Sequence, residues 1–389
     1  MADRREYFVS SYIIPRYSVN LGQREVDLFH LLNDIPIVGL VGMSGIGKTA
    51  LASLFFQARR GTYEKCCFLE NVRSRHIEDV QRQLLFDLSG TVDWDKSKYG
   101  YKIRQCITTM RVLIIMDDIG SDEELAALQL SAFRDEKAIK KRSKAIVTGQ
   151  DWQVLQDYVG NPGRVQVGTL DDLDGMALFS YHAFDGAKVD RERQKLIHQL
   201  MVKDGRSHKN AEHHPNVEKV AREFEQAAME IVHECAGLPL SLQIVGDYLG
   251  KKKNSVGTAD LYEMYKEALY KLRHGEAIGG GKTNDKLWSK FWQRYHDLER
   301  AEREMFIDFA CFGSEDTTGR MYVSRDTFLN KSRPGSPRIS LQNLIDKSFI
   351  LVKAGNQLSM HNHLRHLGRK IARDRLVKDT SEKLRITDE

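Results

Sequence analysis

The sequence predicts an α/β domain with a parallel sheet, followed by a helical domain and a winged-helix domain. Short apolar runs typical of strands alternate with amphipathic stretches from Ile37 to about Val167, and this alternation favours a parallel sheet covered on both faces. After about Gly168 the apolar residues recur at helical spacing. Near the C-terminus, helices precede two strand-like runs separated by a turn at Gly355, which is typical of a winged helix.

These changes of pattern divide the chain into five expected segments. They are an N-terminal linker (1–30), the α/β domain (31–167), the helical domain (168–275), a glycine-rich linker (276–285) and the winged-helix domain (286–389). A polar stretch at about 186–216 interrupts the helical domain. Its composition predicts a partly disordered insertion or one loosely held helix.

Composition and charge exclude several classes of protein. The 59 basic and 54 acidic residues give a net charge of +5, too even a mixture for a nucleic-acid-binding surface. No run approaches the ~18 apolar residues of a membrane span, and no secretory signal follows Met1. We therefore expect no membrane or nucleic-acid partner, and a cytoplasmic or nucleocytoplasmic location. The five cysteines lack metal-ligand spacing and are interpreted as reduced core residues: Cys66, Cys67, Cys106, Cys235 and Cys311.

Residues 42–49, Gly-Met-Ser-Gly-Ile-Gly-Lys-Thr, form a complete P-loop between an apolar strand and a helix. The glycines allow the loop amides to surround phosphate oxygens, and the helix N-terminus adds positive potential. Lys48 would reach the β- and γ-phosphates, and the Thr49 hydroxyl would bind Mg²⁺. A simple glycine-rich turn would not require the Lys-Thr pair at this offset. The candidate nucleotide-binding residues are Gly42, Gly45, Ile46, Gly47, Lys48, Thr49 and Ala50.

A second acidic motif completes the predicted site. The apolar strand from Val112 ends in Asp117 and Asp118. Next to a P-loop, Asp117 would lie near the magnesium ion and Asp118 would polarise an attacking water as the catalytic residue. Two acidic turn residues at a strand end can also occur by accident. The P-loop upstream favours the nucleotide site.

Five motifs in this order resemble the NB-ARC module of plant intracellular immune receptors. They are the P-loop, Leu113–Asp118, Cys235–Leu240, Phe306–Phe312 and Met360–Asn362. Cys67–Arg73 and Phe306–Phe312 are similar to the branch with an N-terminal TIR domain rather than a coiled coil. The resemblance implies a STAND or AAA-like P-loop NTPase that acts as a switch. ADP would hold a closed form, and exchange for ATP would open it for self-association.

The resemblance also implies roles for three further positions. Pro239 would pack against the adenine, and His361 would touch the ADP β-phosphate. The segment from Val19 to Arg24 would close over the adenine, although Asn20 stands where the family has glycine. From the residues alone, a helix stop and restart would explain Gly-Leu-Pro-Leu at 237–240 equally well, and an isolated histidine is more often structural.

The chain departs from the family at two polar positions and in its extent. Gln150 replaces an arginine that senses the γ-phosphate side, and it provides neither the charge nor the fixed donors of a guanidinium. Asn362 replaces an aspartate. We predict a loosened ADP lock, because a charge-assisted hydrogen bond contributes about 1.5–3 kcal/mol whereas a full population reversal needs roughly 5.5 kcal/mol. TIR and leucine-rich-repeat domains, absent from this sequence, are expected partners if it is an excised module rather than a natural truncation.

Three functions remain open at this point. The first is a nucleotide-dependent immune switch with slow or no ATP hydrolysis. The second is an ATPase that turns over continuously, which Asp117 and Asp118 permit but Gln150 argues against. The third is a STAND-type transcription regulator whose winged helix binds DNA, since this fold serves many functions.

Overall fold

A computed structural model describes residues 19, 21–91, 95–184, 215–253, 258–274, 276, 285–312, 322–331 and 337–387. The chain divides into two compact units. The first consists of the residues up to Gly168 together with Asp346–Ser348, and the second consists of the remaining residues after Gly168. The predicted insertion at 186–216 lies outside the described residues except for 215 and 216, as does the glycine-rich linker except for 276 and 285.

The first unit is an α/β domain built on five parallel strands. The strands are β1 (Ile37–Val41), β2 (Lys65–Leu69), β3 (Val112–Ile119), β4 (Lys144–Gly149) and β5 (Arg164–Gln166). The helices are α1 (Leu21–Asp34), α2 (Lys48–Arg59), α3 (Ile77–Ser89), α4 (Tyr99–Thr109), α5 (Asp122–Ala127), α6 (Glu136–Lys141) and α7 (Trp152–Val159). The sheet order is β2-β3-β4-β1-β5, with every pair parallel.

The central strands are buried on both faces, which explains their continuous apolar runs. All residues of β1 are buried, and so are Val112 to Asp117 in β3. A sheet covered by helices on both sides requires this pattern rather than alternation. Because β4 lies between β1 and β3, the carboxyl ends of these three strands meet at one edge. That edge holds the P-loop and the two aspartates.

The second unit combines helices with a small antiparallel sheet. Its helices are α8 (Asp172–Ala183), α9 (Pro215–Glu234), α10 (Pro239–Lys253), α11 (Thr258–His274), α12 (Asp285–His296), α13 (Arg300–Cys311), α14 (Arg325–Lys331), α15 (Pro337–Asp346, whose last residue belongs to the first unit) and α16 (Asn362–Thr387). Its strands are β6 (Val323–Ser324), β7 (Leu351–Lys353) and β8 (Gln357–Ser359), in the order β6-β8-β7. The hairpin between β7 and β8 turns at Gly355, as expected.

Close packing of α13 against α16 organises the winged-helix part. Gly368 lies so near α13 that a Cβ atom there would come within 2.3 Å of the Ala310 Cβ. The ring of Phe306 meets that of Phe349 edge to face, with centroids 5.4 Å apart. Arg369 donates from Nε to the Ala310 carbonyl at 3.1 Å. These contacts hold one face of α16 in a defined place.

The prediction that the cysteines are core residues is wrong for Cys311. All five thiols are free, but only Cys67 and Cys235 are buried, and Cys311 is exposed. Cys311 is the last residue of α13, beyond the buried turn that contains Phe309 and Ala310. Within the described ranges, no helix is long and apolar enough to cross a membrane, and no His/Cys/Asp/Glu cluster of three or more forms a metal site.

Candidate functional site

The P-loop leaves β1 and enters α2 through a residue in the left-handed region. Gly47 caps α2 with φ +100°, and open space surrounds the position of a Cβ. Its backbone angle, rather than crowding, therefore requires glycine. Lys48 is buried, and its Nζ donates to the carbonyls of Gly42 at 2.7 Å and Met43 at 3.0 Å. The loop thus holds the ammonium group at the N-terminus of α2, where a phosphate would bind.

Asp117 lies at the centre of a short hydrogen-bond network beneath the loop. Its Oδ1 accepts from Thr49 Oγ1 at 2.8 Å and from Thr148 Oγ1 at 2.7 Å, and the residue is 2% exposed. Burial raises the pKa of Asp117, while the two threonine hydroxyls oppose this shift. A hydroxyl and a carboxylate at this distance are suitable Mg²⁺ ligands, and a cation would offset the cost of the buried charge.

Asp118 is held in an unusual backbone conformation by residues at the end of β4. Its φ is +56°, uncommon for a residue with a side chain and frequent at functional sites. Its N–H donates to Thr148 Oγ1 at 2.9 Å, and its Oδ1 accepts from Gln150 Nε2 at 3.1 Å. The buried Gln150 Oε1 has no hydrogen-bond partner among the described residues. The half-buried carboxylate of Asp118 is therefore tied to a neutral amide.

Sequence reasoning did not single out Thr148, although this residue connects the two aspartates. Its hydroxyl donates to the Asp117 side chain and accepts from the Asp118 backbone. The signal in the sequence is a polar residue near the end of an apolar strand. It acquires this role only because β4 lies beside β3, with Met116 opposite Val147.

A cavity of about 250 Å³ lies beside α1 in the first unit. Most of its lining residues are apolar, and Arg24, Asp27 and Gln166 are the polar members. The lining consists of Arg24, Asp27, Leu28, Leu31, Leu51 and Val165–Gly168. Arg24 donates from Nη1 to the Gly168 carbonyl at 3.1 Å. The predicted residue Arg24 therefore lines the cavity, whereas half-buried Val19 is outside the lining. A flat aromatic ring system with polar edges, such as a purine, suits these walls.

Pro239 and His361 belong to the second unit, where the structure brings His361 close to the turn before Pro239. Pro239 is the first residue of α10. Before it, Gly237 has φ +69°, and a Cβ there would lie 2.1 Å from the Leu170 carbonyl oxygen. Leu170 N–H donates to the Gly237 carbonyl at 2.9 Å. The turn is thus anchored to the segment before α8.

His361 is buried, and its two imidazole nitrogens differ in their hydrogen bonding. Its Nδ1 accepts from the His363 N–H at 3.3 Å, whereas Nε2 has no hydrogen-bond partner in the described part of the chain. Burial lowers the pKa of His361 to about 4, although the carbonyls of Ala236 and Cys235 oppose the shift. A buried polar atom without a partner is uncommon. A phosphate oxygen would be one suitable acceptor.

The parallel sheet, the P-loop and the buried aspartate beneath it define a P-loop nucleotide-binding fold. The solved Walker-type ATPase of Pyrococcus abyssi has the same fold, with a TM-score of 0.52 and 13% identity over 90% of this chain and 95% of that chain. The family model of the NB-ARC domain matches residues 25–189, and the model of the "Disease resistance protein Roq1-like, winged-helix domain" matches residues 299–376. The predicted fold class and the resemblance to NB-ARC modules are confirmed.

Curated plant proteins match most of this chain. TMV resistance protein N of Nicotiana glutinosa is 26% identical over 91% of the chain, and disease resistance protein RUN1 of Vitis rotundifolia is 25% identical over 92%. Disease resistance protein RPS4 of Arabidopsis thaliana is 25% identical over 90%. The chain spans about a quarter of the length of these relatives, namely 27%, 23% and 25%. They support the predicted TIR-type branch.

Proposed function

We propose that this chain is the nucleotide-controlled switch of a plant intracellular immune receptor. ADP would hold the off state, and exchange for ATP would produce an on state that self-associates. The observation that carries the proposal is the network of Thr49, Asp117 and Thr148 beneath the P-loop, with oxygen contacts of 2.7–2.8 Å. The similarity to plant resistance proteins supports the immune role.

In this proposal each part of the site has a separate task. The loop amides and Lys48 bind the phosphates, Thr49 and Asp117 hold Mg²⁺, and the cavity beside α1 receives the adenine. Bound Mg²⁺ would neutralise phosphate charge. Pro239 would contact the base, and His361 would direct Nε2 at the β-phosphate. The unpartnered Nε2 supports this last assignment.

Hydrolysis is expected to be slow. Asp118 would have to orient the attacking water, but its Oδ1 already accepts from Gln150. Gln150 adds no positive charge near the γ-phosphate, whereas an arginine at a transition state is worth about 10³–10⁵ in rate. We therefore expect fewer than about one turnover per minute, as in P-loop proteins without an arginine finger. Faster turnover would favour the alternative of a continuously cycling ATPase.

The partners follow from the same proposal. The TIR and leucine-rich-repeat domains of a full receptor would supply signal output and recognition, and a second copy of the chain would bind in the ATP state. The site of action would be the cytoplasm or the nucleus.

Identification of the nucleotide that copurifies with the chain tests the proposal. The purified protein is denatured and the released nucleotide is measured by chromatography, beside Lys48→Ala and the control Lys65→Ala. Lys65 is an exposed residue at the start of β2, so its replacement keeps the site intact. We expect about one ADP per chain for the wild type and the control, and none for a folded Lys48→Ala protein.

Two results would contradict the proposal at different points. Release of no nucleotide from the wild type would overturn nucleotide binding. Release of ATP alone would contradict an ADP-held off state while leaving the nucleotide site intact. Circular dichroism of Lys48→Ala checks that the variant is folded, since it leaves two loop carbonyls without their ammonium donor.

A further inference from the structure

A second and larger cavity, of about 580 Å³, lies within the second unit. Its wall combines side chains of α9, α11, α13 and α16. The volume falls in the range of about 300–1,000 Å³ that is usual for small-molecule sites. Its lining shares no described residue with the cavity beside α1. It therefore requires a separate explanation.

Positive groups predominate in the wall of this cavity. Four arginines, Arg273, Arg365, Arg369 and Arg373, face a single lining carboxylate, that of Glu234. Three histidines at positions 233, 274 and 366 also line it. A polyanion would therefore meet complementary charge here.

Two carboxylates of α9, Glu230 and Glu234, are already engaged in ion pairs. Glu234 accepts from Arg273 Nε at 3.0 Å, and its other oxygen lies 3.2 Å from His366 Nε2. Burial raises the pKa of Glu234, but contacts with His366 and Arg273 outweigh it and lower the pKa to about 2. Glu230 pairs with the same arginine at 3.1 Å. Glu230 and Glu234 thus both pair with Arg273, and Glu234 also contacts His366. The lining as a whole holds four arginines and one carboxylate.

Two of the α16 arginines are held in place by hydrogen bonds within the chain. Arg365 is 2% exposed and donates from Nη2 to Asn362 Oδ1 at 3.3 Å. Arg369 is fixed by its bond to the Ala310 carbonyl. A guanidinium carries five donors in a planar fork that matches phosphate oxygens. Groups already fixed in position lose little side-chain entropy when they bind.

We propose that this cavity binds a small compound carrying several phosphate groups. Arg365, Arg369 and Arg373 would contact the phosphates, and the ligand would connect α9 and α11 with α16. The neutral Asn362 keeps the wall positive, because an aspartate there would pair with Arg365. The lining contains none of the P-loop residues that we propose for the nucleotide.

Calorimetric titration of the whole chain tests this site. Inositol hexakisphosphate and inorganic tripolyphosphate serve as probes, with the P-loop saturated with ADP. Arg373→Gln is the main variant because Arg373 is exposed on α16, so the change leaves the fold intact. Lys370→Gln removes the same charge from the same helix outside the lining. We expect about tenfold weaker binding for Arg373→Gln and no change for Lys370→Gln.

The outcomes separate this site from the P-loop and from general charge attraction. Tighter binding of the cyclic probe would indicate a cyclitol polyphosphate, and tighter binding of the linear probe would indicate a polyphosphate chain; both support the site. Absence of binding, or equal weakening by Lys370→Gln, would overturn the proposal. Loss of binding in Lys48→Ala, measured without ADP, would overturn it too, because it would assign the probe to the P-loop.

Discussion

The sheet edge of the first unit and the histidine region of the second unit differ in how their buried polar groups are satisfied. At the sheet edge, Asp117 accepts from two threonine hydroxyls at 2.7 and 2.8 Å. In the second unit, His361 Nε2 and His363 Nδ1 are buried without a partner among the residues described. Burial lowers the pKa of both histidines. The buried carboxylate of the first region thus has its partners within the chain, whereas each of the two buried histidines keeps one nitrogen without a partner among the described residues.

The difference indicates which region is more sensitive to a ligand or a mutation. A buried polar atom without a partner costs about 1–3 kcal/mol. A ligand that supplies the missing partner would recover part of that energy, which makes the second region suited to sensing. In the first region the buried Asp117 carboxylate already accepts two hydrogen bonds from within the chain. This contrast can be tested by perturbing each region in turn.

Two glycine substitutions should show the largest difference between the regions. Gly237→Ala places a Cβ 2.1 Å from a backbone carbonyl at φ +69°, whereas Gly47→Ala meets open space at φ +100°. A left-handed conformation costs a residue with a side chain about 1–2 kcal/mol, and overpacking adds about 1–3 kcal/mol. We expect losses of about 2–5 kcal/mol for Gly237→Ala and about 1–2 kcal/mol for Gly47→Ala, measured by denaturant unfolding.

Nucleotide binding should rank the two variants in the opposite order, with the larger loss for Gly47→Ala. Gly47→Ala disturbs the phosphate loop directly, so it should lose copurifying nucleotide while remaining folded. Equal destabilisation by the two variants would mean that the turn at Gly237 can move away from Leu170. The second region would then be more flexible than its contacts indicate.

The buried histidines predict a loss of stability in mild acid. The unfolded chain takes up a proton at its ordinary histidine pKa of about 6.5, whereas folded His361 does so only at about 4. The unfolded state therefore binds more protons between these values, and the free energy of unfolding falls as the pH decreases from 6.5 to 4. The contribution of His361 is roughly 3 kcal/mol.

A comparison of two histidine variants isolates this effect. His361→Gln should flatten the dependence of unfolding free energy on pH between 6.5 and 4, relative to the wild type. His296→Gln, an exposed position on α12, should leave the dependence unchanged. An identical slope in the wild type and His361→Gln would show that His361 is accessible to protons in the folded chain.

The sequence was informative where function depends on contiguous residues. In the P-loop the glycine positions and the Lys-Thr pair determine both the local backbone and the chemistry. The strand before the two aspartates was recognisable because a strand buried on both faces must be apolar throughout. The region around Gly237 was recognised by resemblance, and the structure adds the reason: the Leu170 carbonyl leaves no room for a side chain.

Features assembled from distant segments could not be predicted. The role of Thr148 depends on β4 lying between β1 and β3, an order that strand patterns do not specify. Helix α1 was interpreted largely as linker, although its leucines line the smaller cavity. The larger cavity draws on helices separated by more than a hundred residues, so the sequence pattern did not indicate it.

The smallest predicted effect concerns Asn362, the position where the two binding proposals meet. In Asn362→Asp a carboxylate would replace the amide oxygen that Arg365 contacts at 3.3 Å. A hydrogen bond to a charged group contributes about 1 kcal/mol more than a neutral one, which corresponds to roughly fivefold. We expect release of fluorescent ADP to slow by about that factor. A stronger contact between residue 362 and Arg365 would stabilise the first turn of α16 and hold the adjacent His361 in place. Asn356→Asp makes the same change in the exposed β7–β8 turn and should leave release unchanged.

If Asn362→Asp does not alter the rate, residue 362 does not govern the nucleotide lock. Its neutral side chain would then matter only for the charge of the arginine-lined cavity, where the same variant should still weaken polyphosphate binding.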